Sequence, residues 1–136
     1  MSESFKDDIK RHEGFRSKVY DDSLGKPTIG YGFLIDALVL DEDIAEMILD
    51  RKLEKLKLVV HKTFPWLADQ PKEVIHAIYN MSYQMGPNTV AKFKKTLTYL
   101  KNKDYSKAAI EMLDSKWARQ TPGRAKELSD TIKTLA

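Results

Sequence analysis

The chain has 136 residues, 42% of them hydrophobic and 32% charged, with no cysteine and a formal net charge of +3. This leaves room for one domain with its own core, not two, and the balance is that of a globular protein, not a disordered one. The absence of cysteine excludes a disulfide framework and a thiolate metal site, and no apolar run approaches the roughly 18 residues of a membrane span.

The first ten residues, MSESFKDDIK, are polar and mixed in charge, so they do not read as a signal peptide. Ser4 to Glu13 is expected to form a first helix. Ser4 with Asp7 three residues on is close to a capping box, Phe5 and Ile9 supply an apolar stripe, and Gly14 is placed to end it. Residues 15–36 then switch to short-period structure. Val19-Tyr20, a turn through Asp21, Asp22, Ser23, Leu24 and Gly25, and the run Pro27-Thr28-Ile29-Gly30-Tyr31-Gly32-Phe33 suggest a hairpin. Gly30 and Gly32 suggest a strand that a ligand or another backbone approaches closely.

From Asp41 onward the pattern is helical. Asp41 is an N-cap candidate, and helical spacing from Ile44 through Met47, Ile48, Leu56, Val59 and Val60 runs to about His61. At 1.5 Å per residue this helix is about 30 Å long, enough to join two lobes. Phe64-Pro65-Trp66 breaks it. Glu73–Met85 is apolar almost all round and is expected to be the buried central helix of a second lobe, stopped by Gly86-Pro87. Shorter helices are expected over Asn88–Leu100 and Tyr105–Leu113, with a turn around Trp117 and a last helix opened by Thr121 as N-cap and Pro122 at its first position. The expected architecture is α+β, mainly α: a small sheet lobe at about 14–40, a joining helix at about 41–61, and a helical lobe at about 65–136 that also takes in helix 4–13.

Charge divides unevenly. Residues 1–70 hold 11 Lys and Arg against 14 Asp and Glu, whereas residues 71–136 hold 12 against 6. The basic half could face an anionic polymer, or Lys92, Lys94, Lys95, Lys101, Lys103 and Lys107 could simply be the solvated faces of surface helices. The glycines lack the lysine-serine pair of a phosphate loop, and His12, His61 and His76 have no paired ligand spacing, so neither a nucleotide nor a metal is expected.

Two acids and a hydroxyl stand out. Glu13 lies at a helix C-terminus, where the dipole disfavours an anion unless a cation offsets it. Asp21 and Asp22 are adjacent, and the residues alone leave open which faces a site and which caps a turn. Thr28 follows, and could be merely a β-former. Two carboxyl groups on different elements, with a hydroxyl beside one, suit a glycosidase: one acid to protonate a leaving oxygen and one base to hold a water.

The run from Glu13 to Gly32, E-G-x-R-x-K-x-Y-x-D followed by T-I-G-x-G, resembles the active-site segment of the phage-type lysozymes, the T-even phage muramidases of glycoside hydrolase family 24. Two further blocks resemble the same family: Asn80-Met81-Ser82-Tyr83-Gln84-Met85-Gly86 with Val90-Ala91 and Phe93, and Ser115-Lys116-Trp117-Ala118-Arg119-Gln120-Thr121-Pro122-Gly123-Arg124-Ala125. The resemblance implies a lysozyme-like fold with Glu13 as general acid, Asp22 as the base that orients water, and Thr28 as the second holder of that water. Asp21 is then a surface residue. It further implies that Gln84, Tyr83, Phe93, Gly30 and Phe33 line the substrate cleft and that Arg124 pairs with Glu13. Where the family often has a histidine after T-I-G-x-G, this chain has Phe33, and the stretch from Phe33 to Asp41 is short, so the sheet lobe is expected to be reduced.

The activity so implied is an endo-acting muramidase that hydrolyses the β-1,4 bond between N-acetylmuramic acid and N-acetylglucosamine in peptidoglycan by inverting single displacement, without metal or cofactor. As an endolysin it would be a monomer made in the host cytoplasm and released by a separate holin-like protein to act on the periplasmic wall, with no nucleic-acid partner and no stable membrane insertion. Two other readings stand beside it. A lytic transglycosylase would have no use for Asp22 and Thr28, and a catalytically silent wall-binding or virion component would not need the intact set.

Overall fold

In the computed structural model of the protein, residues 2–136 are described, without the side chains of residues 2–4. The first helix, α1, spans Ser2–Glu13, so it starts two residues before the expected position; the capping role expected of the Ser4 side chain lies outside the described residues. Gly14 ends it at φ +70°, donating its N–H to the Lys10 carbonyl at 2.9 Å. A residue with a Cβ pays a steric penalty in that left-handed conformation, and glycine does not.

An antiparallel sheet follows: β1 (Arg16–Asp21), β2 (Pro27–Gly30) and β3 (Phe33–Leu34), in that order. Tyr20 pairs with Thr28 and Asp21 with Pro27, and the register shifts between Arg16 and Tyr20. The expected hairpin therefore gains a third strand. Its cause is the turn at Gly30-Tyr31-Gly32, where both glycines have positive φ, which folds the chain back so that Ile29 pairs with Phe33. Aromatic contacts hold this region together: the Phe15 and Tyr31 ring centroids are 5.5 Å apart, and Tyr31 meets Phe33 edge-on at 6.4 Å.

The helix α2 covers Glu42–Thr63, with Asp41 immediately before it accepting the Ala45 N–H at 2.9 Å through its carbonyl. Pro65–Asp69 form a 3-10 turn, and α3 runs over Lys72–Met85. The chain divides into two compact units, one ending at Glu46 and the other covering Met47–Ala136.

Core packing belongs to the second unit. Val60, Leu67, Val74, Ile78, Met81 and Ile132 are essentially inaccessible to solvent, and full burial of such side chains stabilises by roughly 1.5–3 kcal/mol each. Among the described residues of the first unit, by contrast, Thr28 alone is buried. Met81 is core as expected, and Met85 packs against it. The expectation of an all-round buried α3 needs correction. Val74, Ala77, Ile78, Met81 and Ser82 form its buried face, whereas His76, Asn80, Tyr83 and Gln84 lie on the other. Its polar residues recur at helical spacing, which makes it amphipathic.

A second correction concerns Asn88–Leu100. The structure has a short α4 (Pro87–Val90) and a separate α5 (Lys94–Lys101). Between them Lys92 donates to the Thr89 carbonyl and Phe93 to that of Val90, tight i→i+3 bonds that end the first helix before the second begins. After α6 (Tyr105–Leu113) come α7 (Lys116–Gln120), capped by the Ser115 hydroxyl accepting the Ala118 N–H at 3.1 Å, and α8 (Pro122–Lys133). Pro122 opens α8 as expected. Thr121 takes the N-cap position only with its backbone, because its hydroxyl donates instead to the Trp117 carbonyl at 3.0 Å. Among the described residues, no helix is long and apolar enough to cross a membrane.

Candidate active site

Glu13 is the last residue of α1, and its carboxyl group lies over Gly32 in the turn between β2 and β3. A Cβ built on Gly32 would collide with Glu13 Oε2 and stand 3.0 Å from its Cδ. That turn therefore leaves the glutamate its place only because residue 32 has no side chain. Gly32→Ala is accordingly expected to push the carboxyl group aside and to strain a φ of +73°, at a cost of about 1–2 kcal/mol. A displacement near 1 Å lowers a well-oriented reaction by about 10²-fold. Turnover and melting temperature measured together check this; an alanine variant with wild-type turnover would show that the glycine does not place the acid.

Asp22 closes the β1–β2 turn. Its Oδ1 accepts the backbone N–H groups of Leu24 and Lys26, each at 2.9 Å, and its own N–H donates to the Lys26 carbonyl at 2.9 Å. Turn capping thus falls on Asp22 and not on Asp21, which is exposed at the end of β1. The residues alone left open which of the two caps the turn, and it is Asp22. The reason is local: Asp side chains readily bond backbone N–H groups two residues on. One oxygen of Asp22 is engaged in this way, and among the described residues no hydrogen bond reaches Oδ2.

Thr28 faces inward from β2 at 2% exposure, and its hydroxyl donates to the Lys26 carbonyl at 2.8 Å. Asp22 and Thr28 are therefore both tied to one residue, Lys26. With its proton committed, the threonine oxygen offers acceptor lone pairs, as does the second oxygen of Asp22. Two acceptors fixed on one turn suit the holding of a water.

The other expected site residues divide between the units. In the first, the Phe33 ring lies against Gly30, with two ring carbons 2.8 Å from where a Cβ would be. The close approach foreseen at these glycines is thus made by side chains of the same chain, Phe33 at Gly30 and Glu13 at Gly32. Phe33 keeps about half of its surface exposed. In the second unit, Gln84 Oε1 accepts the Trp117 indole N–H at 2.8 Å, and Phe93 meets the Trp117 ring edge-on at 6.2 Å. Tyr83 is about half exposed and lines a cavity of about 290 Å³ with Leu53, Tyr79, Asn80 and Arg124. Arg124 donates through Nε to Asn80 Oδ1 at 2.6 Å and through a terminal nitrogen to the Asn80 carbonyl at 3.2 Å. Asn80 and Gln84, both on the exposed face of α3, are hydrogen-bonded by Arg124 and Trp117 respectively.

Gly32 and Trp117 carry more of this geometry than the sequence assigned to them. Gly32 was visible as one of a glycine pair flanking Tyr31, and Trp117 as the aromatic of the third motif block. What each touches depends on a fold-back that spacing does not encode.

The fold is a small antiparallel sheet followed by helices, with an acid at the end of α1 and an aspartate-threonine pair on the turn after it. The phage lysozyme family model matches residues 10–130. The chain belongs to the phage lysozyme family. It is 29% identical to Probable T4-type lysozyme 1 of Dictyostelium discoideum over 98% of this chain and 96% of that protein, and Probable T4-type lysozyme 2 of the same organism matches equally well. It is also 33% identical to the Pre-baseplate central spike protein Gp5 of Enterobacteria phage T4, over 93% of this chain and 27% of that longer protein.

Proposed function

We propose that the chain is a muramidase that hydrolyses the β-1,4 bond between N-acetylmuramic acid and N-acetylglucosamine in bacterial peptidoglycan, by single displacement with inversion. The observation that carries this reading is the Asp22–Lys26–Thr28 arrangement, in which the Asp22 carboxylate accepts the Lys26 N–H and the Thr28 hydroxyl donates to the Lys26 carbonyl. Glu13 gives its proton to the glycosidic oxygen as the carbon–oxygen bond breaks. A water held by Asp22 and Thr28 adds to the anomeric carbon and passes its proton to Asp22. The roles expected of Gln84, Tyr83, Phe93, Gly30 and Phe33 towards the sugar, and of Arg124 towards the acid, belong to the same proposal, as does deployment as a holin-released endolysin. The likeness to a spike protein favours a second mode of deployment, as a lysozyme unit carried in a virion.

Holding a water needs the two carboxyl groups about 6.5–9.5 Å apart, whereas a covalent intermediate needs roughly 5–5.5 Å. Thr28 favours the first case, because a hydroxyl beside Asp22 would crowd a sugar carbon approaching that carboxylate. Peptidoglycan digested by the purified chain is expected to release reducing ends that are α-anomers when first formed, read by NMR of fresh product. A β-anomer would make Asp22 a nucleophile, and anhydro-muropeptides would make the enzyme a transglycosylase. A peptidoglycan-embedded gel showing no cleared band would leave only the silent component.

A further inference from the structure

Between Glu73 and Asp104 the chain runs for 30 residues without a single carboxylate, and it carries five lysines over that stretch: Lys92, Lys94, Lys95, Lys101 and Lys103. The first three are exposed, and among the described residues none of the five lies within 4 Å of a carboxylate. Lys92, Lys94 and Lys95 are not spread over a convex surface. With Lys116 they rim an open cavity of about 720 Å³ whose wall includes Phe93 and Trp117. Lys94 and Lys95 also border a second hollow of about 240 Å³ with Thr98 and Tyr99, and Lys107 Nζ sits 5.9 Å from the Tyr99 ring centre. The lysines therefore follow one another along a track from α7 across α5 to α6, wholly within the second unit. Glu111 and Asp114 share the larger cavity and Asp104 lies 3.7 Å from Lys107, so the track is not purely cationic. Four lysines against two acids still leave the larger cavity with a charge of +2.

We propose that this track binds a flexible polyanionic strand of the bacterial envelope, a sugar or polyalcohol chain bearing repeated phosphodiester or carboxylate groups. The choice of an envelope partner rests on the lysozyme reading; the site itself does not. Like charges gathered in this way repel one another, and an anionic strand removes that repulsion while releasing its own counterions. A concave track fits a strand better than a flat bilayer. Nucleic acid is disfavoured by the aromatics. A single-stranded nucleic acid is held by bases stacked on open aromatic faces, but Trp117 is 4% exposed, Phe93 is committed edge-on to it, and a face of Tyr99 is covered by Lys107. Phosphates on a polyalcohol need no stacking platform.

The test is calorimetric titration of the full chain with poly(glycerol phosphate) and, separately, with polygalacturonate, at 50 and 200 mM salt. Three or four ion contacts give a slope of log K against log salt of about −2 to −3. The variant Lys92→Gln/Lys94→Gln/Lys95→Gln is expected to bind at least tenfold more weakly with a slope shallower by about 2, whereas Lys72→Gln/Lys126→Gln/Lys133→Gln, equal in net charge, binds as the unsubstituted chain does. The phosphate and carboxylate polymers distinguish which anion the track prefers, and binding of either supports it. Binding of neither, an equal loss in both triple variants, or equally tight binding of single-stranded DNA overturns the proposal. Cleavage of peptidoglycan stripped of anionic polymer, followed in parallel with the unsubstituted chain, separates the two readings. A chain that binds but does not cleave refutes the lysozyme reading alone, and one that cleaves but does not bind refutes the track alone.

Discussion

Glu13→Gln is expected to lower peptidoglycan lysis by about 10²–10⁴-fold, the range for loss of general acid catalysis. The amide keeps the size of the carboxyl group, so it fits over Gly32 as the acid does and leaves the turn intact. It cannot supply a proton to a leaving sugar oxygen. The loss should therefore fall on turnover, with substrate affinity and melting temperature close to those of the unsubstituted chain. Turnover on soluble peptidoglycan fragments and a thermal melt of the same preparation are sufficient to check it. Lysis near the wild-type rate would remove Glu13 from the chemistry and with it the mechanism built on it.

How far this site could be read in advance differs from residue to residue. Glu13, Asp22 and Thr28 could be singled out as candidates because the family motif fixes several identities in one ungapped register. The ends of the elements followed from local chemistry where the residue type itself decides them: Gly14 at the end of α1 and Pro122 at the start of α8. What failed to show was contact across a turn. Gly32 lies nineteen residues from Glu13, and nothing in either neighbourhood states that a carboxyl group will cover that glycine.

The break between α4 and α5 was hidden for a different reason. Val90, Phe93, Leu97 and Leu100 keep the three- and four-residue spacing of one continuous helix straight through it. The apolar period survives because both pieces bury the same face, Val90 in one and Leu97 and Leu100 in the other. Only the hydrogen bonds reveal the interruption. On α3 the error ran the other way: aliphatic, aromatic and methionine residues outweighed the polar ones, although His76, Asn80 and Gln84 already lay at four-residue intervals on one side. Position mattered more than average hydrophobicity.

The neighbouring aspartates give the sharpest discrimination, since Asp22→Asn and Asp21→Asn make the same chemical change one residue apart. Asparagine at 22 keeps a side-chain carbonyl oxygen that can accept the N–H groups of Leu24 and Lys26, so the β1–β2 turn should survive the substitution. What it loses is the charge and basicity of the second oxygen, the one proposed to take a proton from water. Asp22→Asn is therefore expected to lower turnover by about 10²-fold or more, the usual effect of removing a general base. The amide resonances of Leu24 and Lys26 should stay near their original positions. Asp21 is exposed at the end of β1, where its partner across the sheet is Pro27, which has no N–H to offer. Its replacement should leave turnover within about twofold, since surface substitutions away from special features usually change stability by no more than about 0.5 kcal/mol. Reversed behaviour of the two variants would move the base to Asp21. Loss of activity at 22 accompanied by displaced Leu24 and Lys26 resonances would instead make Asp22 a residue that builds the turn, and the water would need another base.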